Sequence, residues 1–196
     1  FYRKPPLLAP QSLTHGIPGR IDYQGAELEP LDEDAVRAAA RALKADGVES
    51  VAVSYLFSFQ NPAHEQRTAE ILAEESSDWR VSLSSVVLPT IREYPRQSTT
   101  VIDAYVGPNM QHYLERLSDK LVESGAVTPQ VFLMQSNGGL MRITIGARFP
   151  NQTLLSGPAG GVVAGEELAR ITGQQEIVPL DMGGTSTDIA MITGGR

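Results

Sequence analysis

The chain contains no cysteine. That excludes disulfides, a thiolate nucleophile and thiolate metal sites, and it fits a reducing cytoplasm, the expected location. No apolar run approaches the ~18 residues that a membrane-spanning helix needs, so no membrane role is expected. The opening Phe1-Tyr2-Arg3-Lys4-Pro5-Pro6 has no apolar segment behind its charges and no initiator Met, so it reads as a fragment rather than a signal peptide. Basic residues number 16 against 23 acids, giving a net charge of -7 and a pI near 5.0. They are scattered, with only Arg3 and Lys4 adjacent, which disfavours nucleic acid as a partner. The three histidines, His15, His64 and His112, stand far apart, and none has metal-ligand spacing. His64, in Pro62-Ala63-His64-Glu65, is expected on the surface in the first turn of a helix. Neither a G-x-S-x-G elbow nor a G-x-x-x-x-G-K-[ST] loop occurs.

What is present suits a folded α/β protein. With 196 residues, 41% hydrophobic and 20% charged, the chain can build one large domain or two small ones. Residues 1–30 are rich in Pro and Gly and read as loop, with a short extended piece at Arg20–Tyr23. Leu31–Asp46 opens with Asp32, Glu33 and Asp34 and is followed by Gly47, the polarity of a helix. Val48–Phe57 is apolar and valine-rich, as a strand buried on both faces would be. Asn61-Pro62 caps a second helix over Ala63–Glu75, and Val81–Ser84 reads as a second strand. This βαβ order predicts an α/β layer structure. Val86–Tyr94 is ambiguous because Pro89 and Pro95 interrupt it.

A long helix is expected over Ser98–Ser124, kinked or split at Pro108. Its apolar positions Val106, Met110, Tyr113, Leu114, Leu117 and Leu121 recur at spacings of three and four. Val131–Met134 reads as a strand running into an Asn137-Gly138-Gly139 turn. A helix over Pro158–Ile171 ends at Gly173. Strands are expected over Ile177–Leu180 and Ile189–Ile192, with a turn beginning at Gly194-Gly195. The best boundary falls near residue 106, dividing the chain into 1–105 and 106–196.

Residues 177–195 carry the most chemistry. Asp181 ends an apolar strand, Met182-Gly183-Gly184-Thr185-Ser186-Thr187 form a loop, and Asp188 opens the next strand. Adjacent glycines reach backbone conformations closed to other residues, and their N–H groups can converge on one anion. The hydroxyls of Thr185, Ser186 and Thr187 suit phosphate oxygens. A carboxylate at the strand end can hold Mg²⁺ through water or orient an attacking water. A plain hairpin turn is the bland alternative, but it needs neither the two acids nor three consecutive hydroxyls.

Three further segments stay open between function and structure. Ser156-Gly157-Pro158-Ala159-Gly160-Gly161 starts a helix, where free N–H groups favour anions; it equally suits tight packing on a sheet. Gln135-Ser136-Asn137-Gly138 follows a strand, where α/β ligand sites gather; it is equally an ordinary turn. Arg92 or Arg96 could bind a carboxylate or phosphate. Alternatively Ser98 or Thr99 caps a helix there and the arginines form surface ion pairs.

Residues 30–65, LPTIREYPRQSTTVIDAYVGP (88–108), MQSNGGLM (134–141), LLSGPAGGVVAG (154–165) and DMGGTSTDIA (181–190) together resemble the hydantoinase/oxoprolinase family, in that family's order. The resemblance implies an actin-like, ribonuclease H-like ATPase fold: two related halves, each a mixed sheet flanked by helices, incomplete here. Residues 1–105 would be the C-terminal part of the N-terminal domain and 106–196 the start of the second. It implies ATP and Mg²⁺ as cofactors, with Gly183, Gly184, Thr185, Ser186 and Thr187 holding phosphate beside Gly157, Gly160 and Gly161. Asp181 would serve Mg²⁺ or the nucleophilic water, and Asp188 would share the catalytic role. Ser136, Asn137, Gly138 and Arg92 would face substrate.

The implied activity is ATP-dependent hydrolysis of a small cyclic amide through carbonyl phosphorylation, with a hydantoinase B-type partner subunit or domain. A carboxylase subunit of the acetone or acetophenone type, or a nucleotide-binding module without turnover, are the alternatives. The family carries a second such phosphate loop near its N-terminus, and only one copy is found here. Little or no ATPase activity is therefore expected of these residues alone. Open sheet edges are expected to pair with another copy or chain, or to leave the fold marginally stable.

Overall fold

The computed structural model describes residues 6–125 and 130–194. The expectations at Phe1–Pro5 and at Gly195 lie outside the described residues. The chain divides into two compact units, Phe1–Met110 and Gln111–Arg196.

In the first unit, a single 3-10 turn at Gln11–Leu13 precedes strands β1 (Arg20–Ile21) and β2 (Glu27–Glu29), which pair antiparallel. Helix α1 (Glu33–Ala45) is capped by Asp32, whose carboxylate accepts the Ala35 N–H at 2.9 Å. Val36, Ala40 and Leu43 form its buried stripe at spacings of four and three. Gly47 then turns the chain at φ 72°. Strand β3 (Ser50–Val53), helix α2 (Ala63–Glu75) and strand β4 (Arg80–Leu83) form the expected βαβ unit, with β3 and β4 parallel and in register from Ser50↔Arg80 to Val53↔Leu83. Asn61 supports α2 by accepting the Ala63 N–H at 3.0 Å.

The core is Ala40, Val53 and Leu72, packed against Val51, Tyr55, Trp79, Val81 and Leu83. Outside it, Glu33 of α1 takes hydrogen bonds from Arg67 of α2 (2.7 and 2.8 Å) and from Arg37 (3.2 Å). These bonds, Arg67 first, hold its carboxyl well down, at about 2.

The strand expected over Val48–Phe57 is shorter than its apolar run. It stops at Val53, and Phe57, at φ 58°, closes a turn in which its carbonyl accepts the N–H groups of Gln60 and Asn61. A short helix α3 (Ser84–Val87) resolves the ambiguous stretch after β4.

Helix α4 (Glu93–Glu123) begins five residues before the expected Ser98. Pro95 lies in its first turn, where its missing N–H costs nothing. Ser98 and Thr99 are therefore interior, not caps. Pro108 does not split α4: the helix continues through it, at the cost of one ladder bond.

The second unit holds hairpin β5 (Phe132–Met134) and β6 (Leu140–Arg142), helix α5 (Ile143–Arg148) and a 3-10 turn at Pro150–Thr153. Helix α6 (Ser156–Thr172) follows, ending on left-handed Gly173. The expected strand at 177–180 is two strands, β7 (Glu176–Ile177) and β8 (Leu180–Met182), separated at Val178-Pro179 because Pro179 has no N–H for the ladder. The returning strand divides likewise into β9 (Thr187–Ile189) and β10 (Ile192–Thr193). β8 pairs β9 and β7 pairs β10, both antiparallel.

The α/β expectation holds. Of the incomplete mixed sheet implied for each half, the described residues form five two-stranded sheets, of which only β3–β4 is parallel. No described helix is long and apolar enough to cross a membrane.

Candidate phosphate hairpin

Residues 176–193 form one long hairpin whose tip carries the acid–glycine–hydroxyl string. Its register sets Leu180 opposite Ile189, Asp181 opposite Asp188 and Met182 opposite Thr187. Gly183 N–H donates to the Ser186 carbonyl at 2.9 Å, closing a two-residue loop of Gly184 and Thr185. Residues directly opposite in an antiparallel pair share a face. Asp181 and Asp188 therefore stand side by side on one face, with Leu180, Met182 and Ile189 on the other. Residues 181–189 are all exposed.

The glycines act differently from the expectation. Neither Gly183 nor Gly184 has a positive φ. A Cβ at Gly183 would meet only the Ser186 carbonyl, at 3.6 Å, and one at Gly184 would meet nothing. Their contribution here is bare backbone at an exposed tip. No group of three or more His, Cys, Asp or Glu among the described residues is placed to hold a metal ion by itself. A cation at Asp181 would therefore draw its other ligands from Asp188, water and a ligand's oxygens, a coordination that suits Mg²⁺.

The base of the hairpin is fixed to α6. A Cβ at Gly165 would lie 2.7 Å from Ile192 Cδ1 and 3.1 Å from Pro179 Cγ. Ile192 and Ala169 are buried beside it. At the other end of α6, Leu155 takes a left-handed conformation (φ 57°, ψ 19°) and the helix starts at Ser156 with no side-chain cap. Gly157 and Gly161 face open space, while a Cβ on Gly160 would touch Met134 at 3.8 Å. A Cβ on Gly138, whose φ is 83°, would lie 3.1 Å from Val163 Cγ2 of α6. The structure thus brings the Gln135–Gly139 turn against the start of α6.

That turn is tightly bonded. Asn137 accepts the Gly139 N–H at 2.9 Å. Ser136 spends its hydroxyl on the carbonyls of Gln152 and Leu154 and its N–H on Gln152. Ser136 therefore ties down the segment leading into α6.

Arg92 is exposed, in a left-handed conformation at φ 82°. The surface ion pairs considered for both arginines fail for Arg96, which is fully buried. It donates to Tyr55 O (2.7 Å), Ser84 Oγ (3.1 Å) and Thr90 O (3.2 Å), and lies over the Phe59 ring. Ser84 in turn donates to fully buried Glu65 at 2.5 Å, and Glu65 also accepts the N–H groups of Tyr55 and Ser85. The surface expectation for His64 is also wrong. It is 4% exposed, with Nε2 2.6 Å from Glu27 and Nδ1 packed against Gly19. The signal for this network was faint: polar residues on the inward positions of α2 and α4.

Fold and loop together define an α/β protein that presents an acid-flanked glycine–hydroxyl loop on a β-hairpin. The Hydantoinase/oxoprolinase family model matches residues 96–196, and that of the Hydantoinase/oxoprolinase N-terminal region matches residues 3–76. The chain belongs to the hydantoinase/oxoprolinase family. It is 40% identical over 190 residues to the caprolactamase subunit alpha of Pseudomonas jessenii, covering 97% of this chain and 27% of that one. It is 38% identical over 167 residues to the 5-oxoprolinase of Saccharomyces cerevisiae, covering 84% of this chain and 12% of that one. A nucleotide-free structure of acetone carboxylase, an enzyme of ATP-dependent acetone carboxylation, superposes with a TM-score of 0.91 at 34% identity, over 100% of this chain and 28% of its own. The chain thus spans about a quarter or less of the length of these relatives.

Proposed function

We propose that these residues belong to the ATP-using part of a cyclic-amide hydrolase and supply one phosphate-binding wall of its nucleotide site. The observation that carries this reading is the Asp181–Asp188 pair set side by side at the base of an exposed Gly183–Ser186 loop. Like charges directly opposite on a hairpin are destabilising. A bound cation and phosphate would offset that repulsion. Asp181 would hold Mg²⁺, largely through water. The backbone N–H groups of Gly183 and Gly184, with the hydroxyls of Thr185, Ser186 and Thr187, would donate hydrogen bonds to phosphate oxygens.

Asp188 would share the cation or orient water. Gly157, Gly160 and Gly161 would present the bare start of α6 to the same anion. Asn137, Gly138 and Arg92 are kept as substrate contacts; Ser136 acts mainly by bracing. When bound, Mg²⁺ would neutralise phosphate charge during phosphorylation of the amide carbonyl. The fold reading that goes with this is the actin-like one, with 1–105 closing the N-terminal domain and 106–196 opening the second.

The likeness to acetone carboxylase supports a second reading, a carboxylase subunit working with partner subunits. ATP consumption that depends on a lactam separates the first reading from consumption that depends on a ketone and bicarbonate. The decisive binding test is calorimetric titration of Mg-ATP into the full polypeptide carrying these residues, beside its Asp181→Ala variant. A loss of at least tenfold in affinity is expected. Equal affinity in the two would sink the assignment of the hairpin. Residues 1–196 alone are expected to turn over little or no ATP.

A further inference from the structure

The chain has four asparagines, Asn61, Asn109, Asn137 and Asn151. An asparagine closes to a succinimide when the amide nitrogen of the next residue attacks its own Cγ. The attack needs a following N–H, a backbone free to bring the two groups together, and access for water. Asn61 precedes Pro62, which has no N–H. Asn109 lies inside α4, where the next N–H is directed along the helix axis. Asn151 is half-buried in the 3-10 turn, and the N–H of the bulky Gln152 donates to Phe149 O at 3.1 Å. Asn137 alone is exposed, outside any helix and followed by glycine. Gly138, at φ 83°, has no side chain to shield its nitrogen. Gly139 N–H donates to Asn137 Oδ1 at 2.9 Å, which folds the carboxamide back over the peptide that would attack it. The same donor polarises the Cγ carbonyl and meets the negative charge that develops on its oxygen. One bond opposes the reaction, from Gly138 N–H to Gln135 O at 3.0 Å. A single hydrogen bond of this kind slows the attack by only about fivefold.

We infer that Asn137–Gly138 is a site of spontaneous covalent modification, where the turn passes through a succinimide to aspartate and isoaspartate. The Gly138 nitrogen loses its proton to hydroxide and bonds to Asn137 Cγ. The Cγ–Nδ2 bond breaks, and that nitrogen takes a proton and leaves as ammonia. Water then opens the imide at either of its carbonyls. Both products place a new carboxylate in the turn, and the isoaspartate adds a backbone methylene. The change falls where Gly138 packs against Val163 of α6.

The inference does not depend on the nucleotide reading, and its test uses no nucleotide. The full polypeptide carrying these residues is incubated in mildly alkaline buffer beside a synthetic peptide of residues 134–141. Circular dichroism confirms that the polypeptide stays folded. Digestion and mass spectrometry, with isoaspartate read by a protein-isoaspartyl methyltransferase, then give the rate at each asparagine. Asn137 should convert within about tenfold of the peptide's rate, ahead of Asn61, Asn109 and Asn151. Conversion slower than about a tenth of the peptide's rate would show that the turn bonds protect the pair and would overturn the inference. So would faster conversion at any of the other three asparagines.

Discussion

Replacing Gly165 with Ala probes the seating of the 176–193 hairpin on α6. A helix-interior Gly→Ala change is intrinsically favourable by about 1 kcal/mol. Gly161 shows that case: a Cβ there meets nothing within 4 Å. At Gly165 the same Cβ would stand 2.7 Å from Ile192 Cδ1 and 3.1 Å from Pro179 Cγ. The Ile192 side chain can rotate only within a buried site, and the Pro179 ring cannot rotate away. Overpacking of that kind costs roughly 1–3 kcal/mol. Gly165→Ala is therefore expected to be net destabilising by up to about 2 kcal/mol, against a gain of up to about 1 kcal/mol for Gly161→Ala. The difference between the two variants corresponds to several degrees of melting temperature, at roughly 2–4 °C per kcal/mol for a chain of this size. Paired thermal and urea unfolding followed by circular dichroism would measure it. If Gly165→Ala proves as stable as Gly161→Ala, the hairpin is not seated on α6 as described.

Two further substitutions probe the first unit. Arg96→Met leaves Tyr55 O, Ser84 Oγ and Thr90 O without their guanidinium donors, and at roughly 1–3 kcal/mol for an unsatisfied buried group a loss of about 3 kcal/mol or more is expected by urea unfolding. Arg96→Lys should recover only part of it, because one ammonium cannot span Tyr55, Ser84 and Thr90; full recovery would show that charge alone matters. For Glu33, whose carboxyl is lowered from 4.5 to about 2 by Arg67 and Arg37, the stabilisation is present above about pH 4.5 and is lost as pH falls towards 2. Glu33→Gln should flatten the stability profile in that window, and added salt should shrink the difference because the pair is at the surface. Identical profiles for parent and variant would refute the ion-pair account.

Much of this architecture was legible because local signals agreed with one another. The acids at 32–34 with Gly47, and Asn61-Pro62 before an apolar-striped segment, placed α1 and α2 to within a residue or two. The failures share a cause. Pro95 and Pro108 read locally as breakers, yet a first-turn proline is harmless and one lost bond does not end a helix of 31 residues. Pro179 sits within an apolar run that reads as one strand, but strand ladders tolerate proline poorly, and there the strand divides. His64, and Arg96 in its ion-pair reading, are expected at the surface because charged residues are rarely buried, yet both are buried, together with Glu65. Their burial depends on partners distant in sequence, such as Ser84 for Arg96 and Glu27 for His64, which no periodicity displays.

The candidate site shows the same division in a sharper form. The string D-x-G-G-T-x-T-D could be read from spacing alone, and the hairpin register then puts its two acids opposite one another. What spacing could not supply is how the tip is held. That depends on Gly165, a residue with no chemistry of its own, whose missing side chain admits Ile192 and Pro179 against α6. It depends equally on Gly138 and Ser136, which fix the turn beside the other end of the same helix. A loop that receives phosphate must be positioned before the ligand arrives, since ordering it at binding would cost affinity. Under the proposed function that positioning falls to α6, so substitutions along its packed face are expected to weaken Mg-ATP binding in the full polypeptide without touching the nucleotide, which the same calorimetric titration would measure.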